Sequence, residues 1–146
     1  MQLFLYDLSD VDDRNVDSHG RFKIASLQPY VTQPTSAAFL IIADGQIAGF
    51  ALVGSRSLLN PLFIGHSIDA FLVLKKYRRC GIGRAAAIQL FTMLPGQWEL
   101  ATFATHTVAH AFWRSVLDSL TGGTYQERWL QTSTWRGHVQ SFATTP

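Results

Sequence analysis

Hydrophobic and polar positions along the chain change period several times, and each change marks an element. Gln2 to Leu8 alternates enough apolar side chains to predict a first strand, and Ser9-Asp10 behind it offers N-cap chemistry for a short helix. From Gly20, the positions Phe22, Ile24, Leu27, Tyr30 and Val31 approximate helical spacing, with Pro34 at or just beyond the end of the run. Two apolar runs, Ala37 to Ala43 and Ile47 to Val53, flank Asp44-Gly45, a dipeptide whose positive backbone angles suit the tight turn of a hairpin. Ser67 to Leu74 reads as a further strand. It leads into a basic, glycine-containing turn and then into Ala85, Ala86, Ala87, Ile88, Leu90, Phe91 and Leu94, helix-forming and apolar on one face. Pro95-Gly96 stops that helix. Trp98 to Phe103 then reads as strand, Val108 to Leu120 as an amphipathic helix closed by Gly122-Gly123, and Tyr125 to Leu130 and Gly137 to Phe142 as two final strands. The strand–helix–strand order around the glycine turn implies a parallel pair, since parallel strands need a crossover between them.

Composition bounds this picture without altering it. With 146 residues, 47% apolar and 15% charged, the chain has the length and apolar content of one compact domain, 1–146. No internal repeat, low-complexity tract or linker interrupts it. The apolar runs are far shorter than the roughly 18 residues of a membrane-spanning helix, and the N-terminus lacks the basic region of a secretory signal, so a cytoplasmic location is expected. Cys80 is the sole cysteine, which removes internal disulfides and cysteine metal cages.

A net charge of +2 does not by itself argue for nucleic acid or a membrane surface. Its distribution says more. Five of the twelve basic residues, Lys75, Lys76, Arg78, Arg79 and Arg84, fall within one ten-residue stretch around Cys80-Gly81-Ile82-Gly83. A turn that bends from strand into helix through glycines aims several backbone N–H groups at one spot over the positive end of the helix dipole, which is the chemistry of a phosphate site. Arg and Lys side chains add charge-assisted hydrogen bonds. Gly81-Ile82-Gly83-Arg84-Ala85-Ala86 also satisfies the dinucleotide pattern G-x-G-x-x-A with Glu99 downstream, but only one strand–helix–strand unit is present and Glu99 falls within its strand instead of at its end. A P-loop is excluded because no Gly-Lys-Ser/Thr follows. Binding of a nucleic acid by the basic cluster is the remaining rival, and one polyphosphate ligand already accounts for so short a cluster.

The run Phe71-Leu72-Val73-Leu74-Lys75-Lys76-Tyr77-Arg78-Arg79-Cys80-Gly81-Ile82-Gly83-Arg84-Ala85 resembles the acyl-CoA-binding signature R/Q-x-x-G-x-G/A of the GNAT acetyltransferase superfamily. His106-Thr107-Val108-Ala109-His110-Ala111-Phe112-Trp113 is similar to the N-x-x-A-x-x-F-Y run of many members, and the resemblance covers the chain from about Ala37 onward. It implies an α/β (mixed α+β) fold with a central, twisted, mixed sheet of about seven strands, splayed in the middle, and about four helices. It implies acetyl-CoA as acyl donor, with no metal. By the same resemblance, backbone groups of Phe71, Leu72 and Val73 pair with the pantetheine arm like an added strand. Amides of Arg79, Cys80, Gly81 and Ile82, continuing through Gly83, Arg84 and Ala85, hold the pyrophosphate. Arg78 takes the leading R/Q position, and His106, Ala109, Phe112 and Trp113 lie on the other side of the pantetheine.

Transfer of the acetyl group to an amine needs a neutral amine, a polarised thioester and a departing thiolate. The family's usual acid is the Tyr of F-Y, and Trp113 stands there, an indole that donates a hydrogen bond but gives up no proton. Tyr125 and His106 are the substitutes on offer. Asp69 opens the strand beside the cofactor as candidate base, although Ala70 aligns nearer that position and strict alternation along a strand aims Asp69 at the opposite face. His106 is a second candidate base by its ordinary pKa. His106 and His110, four apart, lack a nearby third metal ligand in sequence. The expected partner is a small-molecule or peptide amine, with no nucleic acid and no membrane. The sequence leaves open whether the chain works as a monomer or a homodimer. A non-catalytic acyl-CoA-binding module is the alternative, motivated by Trp113.

Overall fold

Asp44 and Gly45 take left-handed backbone angles, φ 52° and 73°, and close the hairpin of β1 (Ala37–Ala43) and β2 (Gln46–Gly54) as the Asp-Gly pair predicts. The computed structural model describes residues 1–146. Downstream, β3 (His66–Val73) runs through a short 3-10 turn at Lys75–Tyr77 into α3 (Ile82–Met93), followed by β4 (Gly96–Phe103), α4 (Thr107–Thr121), β5 (Gln126–Gln131) and β6 (Arg136–Thr144). The strands form one six-stranded sheet in the order β1-β2-β3-β4-β6-β5. Every pair is antiparallel except β3–β4, the parallel pair that the α3 crossover demands.

The N-terminal region departs from expectation. Gln2–Leu8 is a helix, α1, and this is why the sheet has six strands. Met1, Phe4, Leu5 and Leu8 line a cleft together, and that 1-4-5-8 spacing is one face of a helix, whereas Leu3 and Tyr6 stay largely exposed. No helix follows Ser9-Asp10. The helix expected between Gly20 and Val31 contracts to four residues, α2 (Pro29–Thr32), with Pro29 at its first position, because Phe22 is held in an extended bridge to Val16 and its backbone N–H and C=O bond the Gln2 side chain. No helix of the structure is long and apolar enough to cross a membrane.

Helices α3 and α4 cover one face of the sheet. Ala87, Leu90 and Phe91 of α3 and Trp113, Val116 and Leu117 of α4 share a buried cluster with Ala51, Val53, Trp98, Leu100 and Phe142 of the strands. Phe91 is fully buried, with ring centroids of Trp98 and Phe142 at 4.7 and 5.0 Å in edge-on contact. Since side chains alternate along β2, Phe50 and Leu52 face the other side, where α1 packs and Phe4 meets Phe50 edge-on at 6.0 Å.

Candidate active site

The sheet opens where the parallel pair begins. Only His66, Ser67 and Ile68 of β3 find partners on β4, at Trp98, Glu99 and Leu100, so from Asp69 to Val73 the edge of β3 turned toward β4 has no strand beside it. A cleft of about 910 Å³ lies at this divergence, between α1 and α2 on one side and the start of α4 on the other.

The backbone of β3 is irregular at the same place. Leu52 pairs with Ala70 and Val53 with Ile68, which leaves Asp69 as the extra residue of a β-bulge. Ile68 and Phe71, three apart, consequently both pack against the α3/α4 core, which unbroken alternation forbids. The bulge turns Asp69 toward the α1/α2 side. There its carboxylate accepts hydrogen bonds from the Tyr30 hydroxyl at 2.7 Å and the Ser67 hydroxyl at 2.8 Å. Gly54 makes room for it, because a Cβ at that position would run into Asp69 Oδ2. Asp69 therefore lines the cleft, against the orientation that strict alternation implies.

Burial first, then the hydrogen bond to Asp69 and its negative charge, push the Tyr30 hydroxyl up to about 12, with Arg56 acting in the opposite direction. Tyr30 therefore holds its proton and serves as a donor to Asp69. A folded-state value above the unfolded one near 10 means that the associated stability is fully present below pH 10 and is lost as pH rises toward 12. In an ultraviolet phenolate titration, comparison of the parent chain with Tyr30→Phe is expected to assign the highest-pH step to Tyr30, and Asp69→Asn is expected to move that step downward.

His106 stands at the N-cap of α4, half-buried and lining the cleft, with no side-chain capping bond. Burial pushes its imidazole below the ordinary value, opposed by the carboxylates of Asp10 and Asp7, so the ring is neutral near neutral pH. Ala109 lines the same wall. Trp113, 5% exposed, is chiefly a core residue whose ring meets Phe71 edge-on at 5.0 Å while touching the cleft. Tyr125 is not brought to the site: it follows the C-terminal end of α4, beside Arg114 and partly against the core, a helix length away from His106.

Glu99 emerges as a cleft residue that its position within a strand disguised. It is buried on β4, and its carboxylate accepts from the Ser57 hydroxyl at 2.5 Å and the Leu58 amide at 2.6 Å, anchoring the Ser55 to Asn60 loop. Those bonds occupy it as a loop tether.

At the open edge of β3 the chain enters the glycine loop. Arg79 and Gly81 both adopt left-handed angles, φ 64° and 86°, and Gly81 is the N-cap of α3. Alternation of this kind turns successive amides toward a common concavity suited to an anion. The helical ladder starts only when the Ala85 amide donates to the Gly81 carbonyl at 3.0 Å, so the amides ahead of it remain open. Gly83 fits between Val73 and Phe112. The side chain of Arg78 is engaged away from the concavity. Its Nε donates to the Val73 carbonyl at 2.6 Å and its guanidinium pairs with Asp7 of α1, tying the N-terminal helix to the loop. Cys80 is exposed with its Sγ against the Tyr77 carbonyl, and Arg84 donates to Ser115 Oγ at 3.2 Å.

The family model of the Acetyltransferase (GNAT) family matches residues 3–117. The chain belongs to the GNAT acetyltransferase family. Solved structures share the fold of this GNAT chain. An acetyltransferase from Thermus thermophilus is 16% identical, with 80% of this chain and 70% of that one covered at a TM-score of 0.60. An acetyltransferase structure from Bacillus anthracis str. Ames, determined in complex with acetyl coenzyme A, is 19% identical over 84% of this chain and 70% of that one, TM-score 0.57. The ribosomal-protein-S18-alanine N-acetyltransferase from Escherichia coli is 16% identical over 100% and 91%, TM-score 0.52. At these identities the likeness is one of fold. No curated protein matches the sequence at a significant level. Within the GNAT chain, the splayed mixed α/β sheet stands as the resemblance implied, with six strands and four α-helices.

Proposed function

We propose that this GNAT chain transfers the acetyl group of acetyl-CoA to a primary amine of a small molecule or peptide by direct attack. The observation that carries this reading is the unpaired edge of β3 from Asp69 to Val73 leading straight into the left-handed loop at Arg79 and Gly81. An extended pantetheine arm finds backbone donors and acceptors on Phe71 to Val73, and the pyrophosphate finds the open amides from Arg79 to Arg84, the Ala85 amide being taken by the Gly81 carbonyl. The acetyl-CoA complex of the Bacillus anthracis structure on the same fold supports this donor.

The acceptor amine, entering past α1 and α2, attacks the thioester carbonyl carbon. A C–N bond forms, the C–S bond breaks, and the nitrogen's proton passes, directly or through water, to the carboxylate of Asp69. Tyr30 and Ser67 fix that carboxylate while leaving each oxygen a second lone pair. The neutral imidazole of His106, on the opposite wall, is the second base within the cleft. A thiol of ordinary pKa near 8.5 leaves without a strong acid, so the tryptophan at position 113 is compatible with turnover. Alignment of donor and acceptor in one cleft supplies much of the acceleration.

The test is release of free thiol from acetyl-CoA in the presence of small primary amines, amino acids and short peptides. Acetyl-CoA binding with thiol release dependent on one of these amines is the expected result. Tight binding of acetyl-CoA with no amine-dependent release from any class makes the chain a binding module and sinks the transfer.

A further inference from the structure

His110 of α4, Glu127 of β5 and His138 of β6 meet at the edge of the α4 layer, a convergence that no local spacing in the sequence announces. His110 Nε2 lies 2.9 Å from Glu127 Oε2 and His138 Nδ1 lies 3.8 Å from Glu127 Oε1. One ligand atom from each residue falls within 4.8 Å of the other two. The side chains keep 18%, 26% and 28% of their surface accessible, enough for a hydrated ion to reach them.

The sheet register explains the meeting. Glu127 stands opposite Gln140, and Trp129 opposite His138, across β5–β6. Directly opposed residues share a face, and alternation puts His138, Gln140 and Phe142 on the face that α4 covers. Gln140 adds a second, independent observation. It is fully buried, its Nε2 donates to Glu127 Oε2 at 2.7 Å, and its Oε1 is buried without any partner. The amide nitrogen orients the carboxylate as an outer-shell partner orients a metal ligand. The orphaned carbonyl oxygen is costly unless something at this spot donates to it, and an ion-bound water is such a donor.

We propose that His110, Glu127 and His138 bind a divalent transition ion of the zinc class, with three protein ligands and water at the fourth position. Two imidazoles and one carboxylate suit zinc or cobalt and do not suit magnesium or calcium, which take oxygen donors. The imidazoles of His110 and His138 are stacked, centroids 3.9 Å apart and 10° from parallel. Each nitrogen lone pair lies in its own ring plane, so parallel rings cannot both aim at one ion, and tetrahedral ligands on zinc stand only about 3.4 Å apart. Binding therefore opens the stack by side-chain rotation. The bound ion ties α4, which carries Ala109 and Trp113 into the cleft, to the two C-terminal strands.

The experiment uses tag-free full-length chain, treated with chelator and titrated with Co2+ and then Zn2+. Expected are one equivalent of Co2+ with the visible absorption of a tetrahedral site, displacement by Zn2+, and a change in tryptophan fluorescence, since the Trp129 ring meets His138 edge-on at 5.1 Å. Glu127→Gln and His138→Ala are each expected to weaken the ion at least about tenfold, with His110→Gln as a third variant if circular dichroism shows either misfolded. His19, His66 and His106 remain in all three, so adventitious binding elsewhere survives the substitutions. The absence of saturable one-equivalent binding, or an affinity unchanged in the folded variants, overturns the site.

Discussion

Gly83→Glu is expected to lower the affinity for acetyl-CoA at least about a hundredfold, equivalent to about 2.7 kcal/mol, in a chain that still folds. The position follows the left-handed Gly81 at the N-terminal turn of α3, among the amides that precede the helical ladder. A glutamate there adds a negative charge and a long side chain at a concavity that suits an anion, so repulsion and obstruction act together. Packing must be separated from charge, because any Cβ at Gly83 lies 3.3 Å from Val73 Cγ2 and 3.4 Å from Phe112 Cε2. Both neighbours are side-chain atoms and can yield by a few tenths of an ångström. Gly83→Ala is thus the control, expected to bind acetyl-CoA within a few-fold of the parent. Equilibrium binding by calorimetry decides the matter: a folded Gly83→Glu chain of near-parental affinity removes the pyrophosphate from this loop.

Asp69→Asn is expected to reduce kcat about a hundredfold, the lower end of what a positioned base contributes, with little change in KM for acetyl-CoA. Asparagine keeps the shape: its single side-chain oxygen accepts from one of the Tyr30 and Ser67 hydroxyls and its amide nitrogen donates to the other, but it takes no proton from an amine. Gly54→Ala is a second route to the same site, since its added methyl carbon collides with Asp69 Oδ2 and forces the carboxylate away from Tyr30. Steady-state kinetics for both variants should show kcat falling while the acetyl-CoA affinity holds. If Asp69→Asn retains full turnover, the proton goes elsewhere, and His106 on the opposite wall is the group to replace next.

The elements from Ala37 onward were legible because each rests on a local signal. Asp44-Gly45 carries its own turn geometry, the alanine-rich run after Gly83 its helix propensity, and Gly122 the left-handed cap that ends α4. The N-terminal region was not, because Gln2 to Leu8 is too short for its period to be decided without knowing that Phe4, Leu5 and Leu8 share one cleft wall. Inside the site, the glycine loop was legible as backbone geometry, whereas side-chain roles depended on tertiary events. A single bulge re-aimed Asp69, and Arg78 was claimed by Asp7 from the far end of the chain. Glu99 owes its role to a loop that folds back over β4. Tyr30, which donates to Asp69 from 39 residues away in sequence, comes from a segment whose helix nearly vanished. The meeting of His110, Glu127 and His138 depends on strand register, which composition and spacing do not encode.

An unpaired strand edge on the outside of a sheet invites other chains to add to it, and proteins guard such edges with charge, proline or brevity. The divergence of β3 from β4 places this edge in the middle of the sheet and not at its rim, beside the cleft that Leu5 and Trp113 also line. A thin, flexible arm can thread into that slot and complete the sheet, while another folded protein's strand, flanked by its own neighbours, is too broad to follow. The splay thus gives the fold a template for strand addition that discriminates by the width of the guest, and it does so without the aggregation hazard that the same hydrogen-bonding groups carry at a sheet's rim.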